Sequence, residues 1–241
     1  MNGVPEAPHL VLWDVDGTLV TNGESDEMLF AQSVQSVMPP IGDVVHPYRH
    51  GKTDLQQVTE YLLANGGTTA QVPLAAECLI EFSRAHFAEP GEREVLPGVV
   101  DTIQALARAG HINAILTGNG PTRARLKLFS AGLDALLFDW SSSFFGDKFD
   151  SRADLCLRAA SFAADRALVP VIIGDTVADG RAAEHAGIGF IGVATGVYRV
   201  GDLQTTPHLL VVEDLASGGA DVVARLGGER FHARPDVDVR P

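Results

Sequence analysis

Short apolar runs alternate along this chain with longer segments whose apolar residues recur every three or four positions. His9 to Trp13, Ile112 to Leu116, Val169 to Ile173 and Gly189 to Val193 have the length and make-up of strands, with weaker candidates at Asp134 to Phe138 and Leu209 to Val212. Val99 to Arg108, Thr122 to Ser130, Arg152 to Ala164 and Ala178 to Ala186 carry helical spacing. Gly110, Gly132 and Gly187 stand where a C-terminal cap would close three of these helices. Apolar strands alternating with amphipathic helices predict a parallel sheet covered by helices.

The stretch from Val20 to Val95 breaks this rhythm. A simple β-α-β unit takes roughly 30 residues, and structureless loops beyond about 15 are uncommon. A folded insertion is therefore expected, and its pattern is helical: Glu27 to Val37, Asp54 to Ala64 and Leu74 to Ala88, broken at Pro39-Pro40 and Gly66-Gly67. The organisation predicted is an α/β core of residues 1–20 and 95–226, a helical cap of residues 21–94, and a polar, flexible tail of residues 227–241.

Composition narrows the class. Hydrophobic residues make up 46% of the 241, enough for a substantial core. Eighteen Lys and Arg against 31 Asp and Glu leave a net charge of -13, which repels nucleic acid and anionic membrane surfaces except at a local basic patch. Cys78 and Cys156 lie far apart in apolar helical contexts, without metal-ligand or disulfide-framework spacing, and are expected to be core thiols. Met1 to Pro8 is not a basic segment followed by an apolar stretch, and no segment reaches the roughly 20 apolar residues of a membrane span; a cytoplasmic location is expected.

The candidate chemistry lies at the strand ends. Asp14-Val15-Asp16-Gly17-Thr18-Leu19 follows the first apolar run, and the two-residue spacing points both carboxylates to one side. Taken alone, this is ordinary turn chemistry. Yet Thr117-Gly118-Asn119 follows the second main run, and Gly174-Asp175-Thr176, with Asp179 four residues after Asp175, follows the third. In a parallel sheet all three clusters meet at the carboxyl edge, where ligands bind. Asp14, Asp16, Thr117, Asn119, Asp175 and Asp179 would then share one pocket. That density of carboxylates, without His or Cys, suits a hard cation, and Mg²⁺ is the usual one where phosphate is the substrate.

These clusters, in this order, resemble the motifs of the haloacid dehalogenase superfamily, from about Leu10 to Leu203. The resemblance implies a Rossmann-like, doubly wound parallel sheet, a mobile cap inserted after the first motif, and hydrolysis through an aspartyl-phosphate with Mg²⁺. Asp14 corresponds to the nucleophile and Asp16 to the acid/base residue, whose main-chain carbonyl also ligates the metal. Thr117, with Gly118 and Asn119, corresponds to the motif that binds the transferring phosphoryl group. Asp175 corresponds to the metal-binding acid and Asp179 to an acid that orients the metal's water shell. The family's third motif is a Lys or Arg near the start of the helix before the last catalytic strand. Its common Lys-Pro context is absent; Lys148 and Arg152 are both candidates, with Arg152 preferred because it opens a helix and a Leu follows three residues later.

The cap is expected to choose the substrate. Arg49-His50-Gly51-Lys52-Thr53-Asp54 precedes a predicted helix that Thr53 or Asp54 can cap, setting Arg49 and Lys52 beside a helix N-terminus. The segment resembles the cap loop that contacts substrate in related phosphatases. His46, His50, His86, His111 and His185 show no ligand spacing and are given no role. The expected function is Mg²⁺-dependent hydrolysis of a small phosphorylated metabolite by a monomer or homodimer, similar to phosphoglycolate phosphatases. One rival is a phosphonoacetaldehyde hydrolase that forms an imine on Lys52, although such relatives normally lack an acid at the position of Asp16. The other is a catalytically silent binding module, which would have no need of both Asp16 and Asp175.

Overall fold

The computed structural model describes residues 7–39, 42–48 and 50–228. Among them, strands β1 (His9–Trp13), β2 (Ile112–Thr117), β3 (Phe144–Phe145), β4 (Val169–Gly174), β5 (Gly189–Val193) and β6 (Leu210–Val212) form one sheet. Its order is β3-β2-β1-β4-β5-β6, and every neighbouring pair is parallel. The chain starts in the middle, builds outward through β2 and β3, then returns to the other side of β1. This reversal places a crevice at the carboxyl ends of β1, β2 and β4, the usual place for a ligand in such a sheet.

Alternation along the central strand decides which helices cover which face. Val11 and Trp13 pack with Val99, Ile103 and Leu106 of α4 (Val99–Arg108) and Leu128 of α5 (Pro121–Ser130). Leu10 and Leu12 point the other way, onto Leu155 and Ala159 of α6 (Arg152–Ala164) and Ala183 of α7 (Val177–Ala186). A one-residue slip of β1 would exchange the two sets, so both layers fix the register that sets Asp14 at the edge. Gly110, Gly132 and Gly187, after α4, α5 and α7, all adopt the left-handed conformation that closes a helix. Cys156 is buried in the second layer; Cys78 is half-buried, and both thiols are free.

One expectation is corrected, and one helix is added. Asp134 to Phe138 is not a strand: the Asp134 carboxylate accepts from the Leu136 amide at 2.8 Å, and Ala135–Leu137 closes into a 3₁₀ turn. The edge position belongs instead to the two residues of β3. A helix that the hydrophobic pattern does not announce, α9 (Leu215–Gly228), packs Val222 and Leu226 into the first layer, next to α4. Its Gly218 and Gly219 are required by proximity, because a Cβ there would lie 2.5 Å from Val212 and 2.4 Å from Thr102. A short helix, α8 (Val200–Leu203), connects β5 to β6.

Between β1 and α4 lie α1 (Ser25–Gln35), α2 (Asp54–Ala64) and α3 (Val72–His86). Leu29, Phe30 and Val34 of α1 meet Val58, Tyr61 and Leu62 of α2 and Leu79 of α3 in an apolar cluster separate from the two that flank the sheet. The loop entering α2 lies directly on the strand ends. Asp54 N–H donates to Gly118 C=O at 2.7 Å, and Thr53 Oγ1 donates to Phe149 C=O at 2.7 Å. Thr53 also caps α2, accepting from Gln56 N–H at 3.1 Å. Among the described residues, no helix is long and apolar enough to cross a membrane.

Candidate active site

The turn after β1 is shaped to bring acids together. Asp14 N–H donates to Ile173 C=O at 3.0 Å, which keeps Asp14 in line with the β1–β4 ladder. Gly17 adopts φ +80°, and a Cβ on it would stand 2.3 Å from Asp175 Oδ2. Only glycine allows both the turn and the approach of Asp175. Asp16 swings toward β2, where Asn119 Nδ2 donates to its Oδ2 at 2.7 Å. The same Asn119 amide donates to Thr117 Oγ1 at 3.0 Å, and Thr117 itself is fully buried.

At the end of β4, Thr176 and Asp179 form a reciprocal cap on α7. Thr176 Oγ1 donates to Asp179 Oδ2 at 2.7 Å, while Asp179 N–H donates back to Thr176 Oγ1 at 3.1 Å. The other Asp179 oxygen faces Arg152 Nε at 2.5 Å, and Arg152 Nη2 lies 2.9 Å from Asp14 Oδ1. Asp179 thus both caps a helix and holds Arg152 against Asp14. Asp14, Asp175 and Asp179 each present an oxygen within 4.8 Å of the others, all buried.

Burial pushes Asp14 up to about 6, with Arg152 pulling down and Asp179 pushing further up. Burial likewise raises Asp175 well above the usual carboxylate range, with Asp14 and Asp179 adding to the effect. Burial opposes the charge on Arg152, but Asp14 and Asp179 outweigh it and raise its pKa. The three buried carboxyl groups of this cluster therefore outnumber the one guanidinium among them.

The pocket wall unites Asp14, Asp16, Thr117, Gly118, Asn119, Arg152 and Asp175 from the strand ends with His50, Gly51 and Lys52 from the loop before α2. Lys148 is exposed and does not line this pocket, because it precedes the cap residue Ser151 whereas Arg152 opens α6 facing inward. Lys52 lines the pocket with its Nζ paired to Glu60 of α2. Arg49 lies outside the described residues.

One side of the pocket is a buried charge network outside the motifs, and its Asp26, Arg123 and Lys127 line the pocket. Arg123 and Lys127, one turn apart on α5, are each 1% exposed. Arg123 binds Asp26 at 2.6 Å and also Asp54; Lys127 Nζ lies 2.7 Å from Asp16 Oδ2, and Arg93 binds Asp26 at 2.9 Å. Asp26 lies in the first turn of α1 and Asp54 opens α2, so the network fastens both helices to the core. Burial works against ionisation of Asp26, yet Lys127, Arg123 and Arg93 together hold its carboxyl far below the usual range. The one trace in the sequence is the pair of cations four residues apart beside Ala124 and Leu128, which places them near the buried stripe of α5.

The sheet agrees with the comparison to known proteins. Residues 8–187 match the model of the haloacid dehalogenase-like hydrolases, and the chain belongs to that family. A phosphoglycolate phosphatase of Pseudomonas putida is 30% identical over 86% of this chain and 77% of its own length. One of Agrobacterium fabrum is 27% identical over 90% of this chain and 93% of its own length. In fold, the chain is similar to a hydrolase from Pseudomonas syringae, with a TM-score of 0.67 at 19% identity, covering 89% of this chain and 97% of that one.

Proposed function

We propose that this chain is a Mg²⁺-dependent phosphomonoester hydrolase in which Asp14 is the nucleophile and Asp16 the acid/base residue. The observation that carries the reading is the buried set of Asp14, Asp175 and Asp179, closed around Arg152 at the carboxyl edge of the sheet. The donors fit Mg²⁺: they are oxygens only, with no His or Cys among them, and a bound cation would offset the buried charge that makes Asp14 and Asp175 hard to ionise. Asp14, Asp175 and the main-chain carbonyl of Asp16 would hold the ion, with Asp179 behind them. When bound, Mg²⁺ supplies the positive charge that lets an anionic nucleophile meet an anionic phosphate.

The residues then divide the work. Asp14 attacks phosphorus, the ester bond breaks toward its oxygen, and Asp16 protonates that oxygen as it leaves. Asp16 next takes a proton from the water that attacks phosphorus, the bond to Asp14 breaks, and inorganic phosphate is released. Arg152, Thr117 and Asn119 stand where the phosphoryl oxygens gather charge. The helices α1 to α3 act as a cap of residues 21–94 on a core of residues 1–20 and 95–226. The substrate is a small phosphorylated metabolite of the phosphoglycolate type, supported by the names of the two bacterial relatives. The pairing of Lys52 with Glu60 favours Lys52 as a fixed charge in the wall over an imine-forming amine.

The test is turnover of a panel of phosphorylated metabolites, phosphoglycolate included, with and without Mg²⁺, together with mass spectrometry of the acid-quenched enzyme. Mg²⁺-dependent release of phosphate and an acyl phosphate on Asp14 are expected. Phosphate trapped on another residue, or no hydrolysis of any ester, overturns the reading.

A further inference from the structure

Lys127 belongs to none of the motifs, yet its ammonium touches the residue assigned to acid/base chemistry. Its Nζ lies 2.7 Å from Asp16 Oδ2, 3.0 Å from Asn119 Oδ1 and 3.0 Å from Asp26 Oδ2. Lys127 itself is only 1% exposed. Asp16 Oδ1 is buried and has no hydrogen-bond partner among the described residues, so the orientation of the carboxylate rests on the two donors to Oδ2. Those donors are Asn119 Nδ2 and Lys127 Nζ. Asn119 is itself held by Thr117 through its Nδ2 and by Lys127 through its Oδ1, so Lys127 supports Asp16 both directly and through Asn119. Asp26, itself anchored by Arg93 and Arg123, keeps that ammonium from swinging away.

We infer that Lys127 is a positioning residue that sets the Asp16 carboxylate for proton transfer to the leaving oxygen. The inference rests on the acid/base reading of Asp16. In the first half-reaction an alkyl oxygen leaves with the electron pair of its bond to phosphorus and takes the proton of Asp16. A nitrophenoxide leaves as a stable anion and needs no proton. Losing the alignment of Asp16 therefore penalises alkyl esters selectively, whereas a general loss of packing penalises both substrates alike.

The experiment compares Lys127→Met with wild type on an alkyl phosphate and on p-nitrophenyl phosphate, using kcat/KM, which reports the steps up to phosphoenzyme formation. The alkyl ester should lose on the order of 10²-fold, the low end of what general acid catalysis supplies, and the aryl ester less than about tenfold. Equal losses on both, or no loss on either, overturn the positioning role. Asp16→Asn is measured in parallel. If it keeps wild-type turnover of the alkyl ester, the acid/base reading itself is wrong; if it is selective against the alkyl ester and Lys127→Met is not, only the role of Lys127 fails. Should Lys127→Met lose its fold by circular dichroism, Lys127→Gln, which keeps a donor and removes the charge, reads the same ratio under the same criteria.

Discussion

Arg152 Nη2 lies 2.9 Å from Asp14 Oδ1 while its Nε faces Asp179 Oδ1, so one guanidinium spans the proposed nucleophile and the capping acid of α7. A guanidinium held at two points stays put when a phosphoryl group arrives, which is what preorganised charge stabilisation requires. Arg152→Ala should lower kcat by about 10²-fold or more. Lys148→Ala, at an exposed position away from the pocket, should stay within about twofold of wild type, well under the 10²-fold expected at Arg152. Arg152→Lys keeps the charge but not the two-point grip, and should fall between them. Steady-state kinetics on one substrate ranks the three, and a stronger effect at Lys148 would move the role there.

Asp14 and Asp175 carry opposite consequences for the metal-free and metal-bound protein. With Asp14 raised from 3.8 to about 6, the folded chain holds more protons than the unfolded chain across that window. Its contribution to stability is present below the window and is lost as pH rises through about 6. Asp175, raised by the same burial, acts in the same direction. Binding a cation requires those protons to leave, so the stabilisation by Mg²⁺ should grow as pH rises from about 5 to about 8. At a free ion concentration of about 100 times Kd it should reach about 2.7 kcal/mol. Asp175→Asn should raise the metal-free melting temperature near neutral pH and abolish the response to Mg²⁺. Thermal melts across pH, with and without the ion, check both; a metal response indifferent to pH would contradict the ligand assignment.

The chemistry that was legible from the chain is the chemistry written within a few residues of a strand end. Asp14 and Thr117 follow an apolar run directly and Asp175 follows one after a single glycine, so the parallel sheet alone brings them together. Arg152 was separable from Lys148 only as a preference, because the distinction depends on which way the first turn of α6 faces. Lys127 left only the trace of its spacing from Arg123: its partner Asp16 is 111 positions away, and a Lys on an amphipathic helix is ordinarily a solvated one. The same holds for β3, whose two residues carry no period, and for α9, whose adjacent glycines lower its helical propensity until Val212 and Thr102 are seen pressed against them.

Asp26 is the anion that three cations share, with Arg93, Arg123 and Lys127 all within 3.0 Å of its oxygens. Asp26→Asn leaves those charges buried and short of a partner, so it should destabilise the protein by about 3–5 kcal/mol, the range for breaking a buried ion pair. Because the folded-state pKa of Asp26 is depressed, its contribution is fully present above the unfolded value of 3.8 and is lost only as pH falls below it. The gap between wild type and variant should therefore be constant near neutrality and narrow in acid. Urea denaturation at several pH values measures it, and a variant as stable as wild type at neutral pH would show that the network contributes nothing.

Gly118 is where the loop before α2 rests on the site. Its carbonyl accepts from Asp54 N–H at 2.7 Å, and a Cβ on it would stand 2.2 Å from the Lys52 carbonyl oxygen and 3.3 Å from Thr53 Cα. These obstacles are backbone, so they cannot yield by a rotamer change. Gly118→Ala must push the loop off the strand end, stretching the Asp54 hydrogen bond and moving Gly51 and Lys52 away from the pocket wall they line. The sheet beneath is untouched, and overpacking of this kind costs about 1–3 kcal/mol. A displacement of about 1 Å in a positioning element can cost on the order of 10²-fold in rate, so kcat/KM should fall far more than stability. Kinetics beside a melting curve decide the matter: if the variant melts lower but keeps wild-type kcat/KM, the loop before α2 is a packing element and has no hold on the substrate.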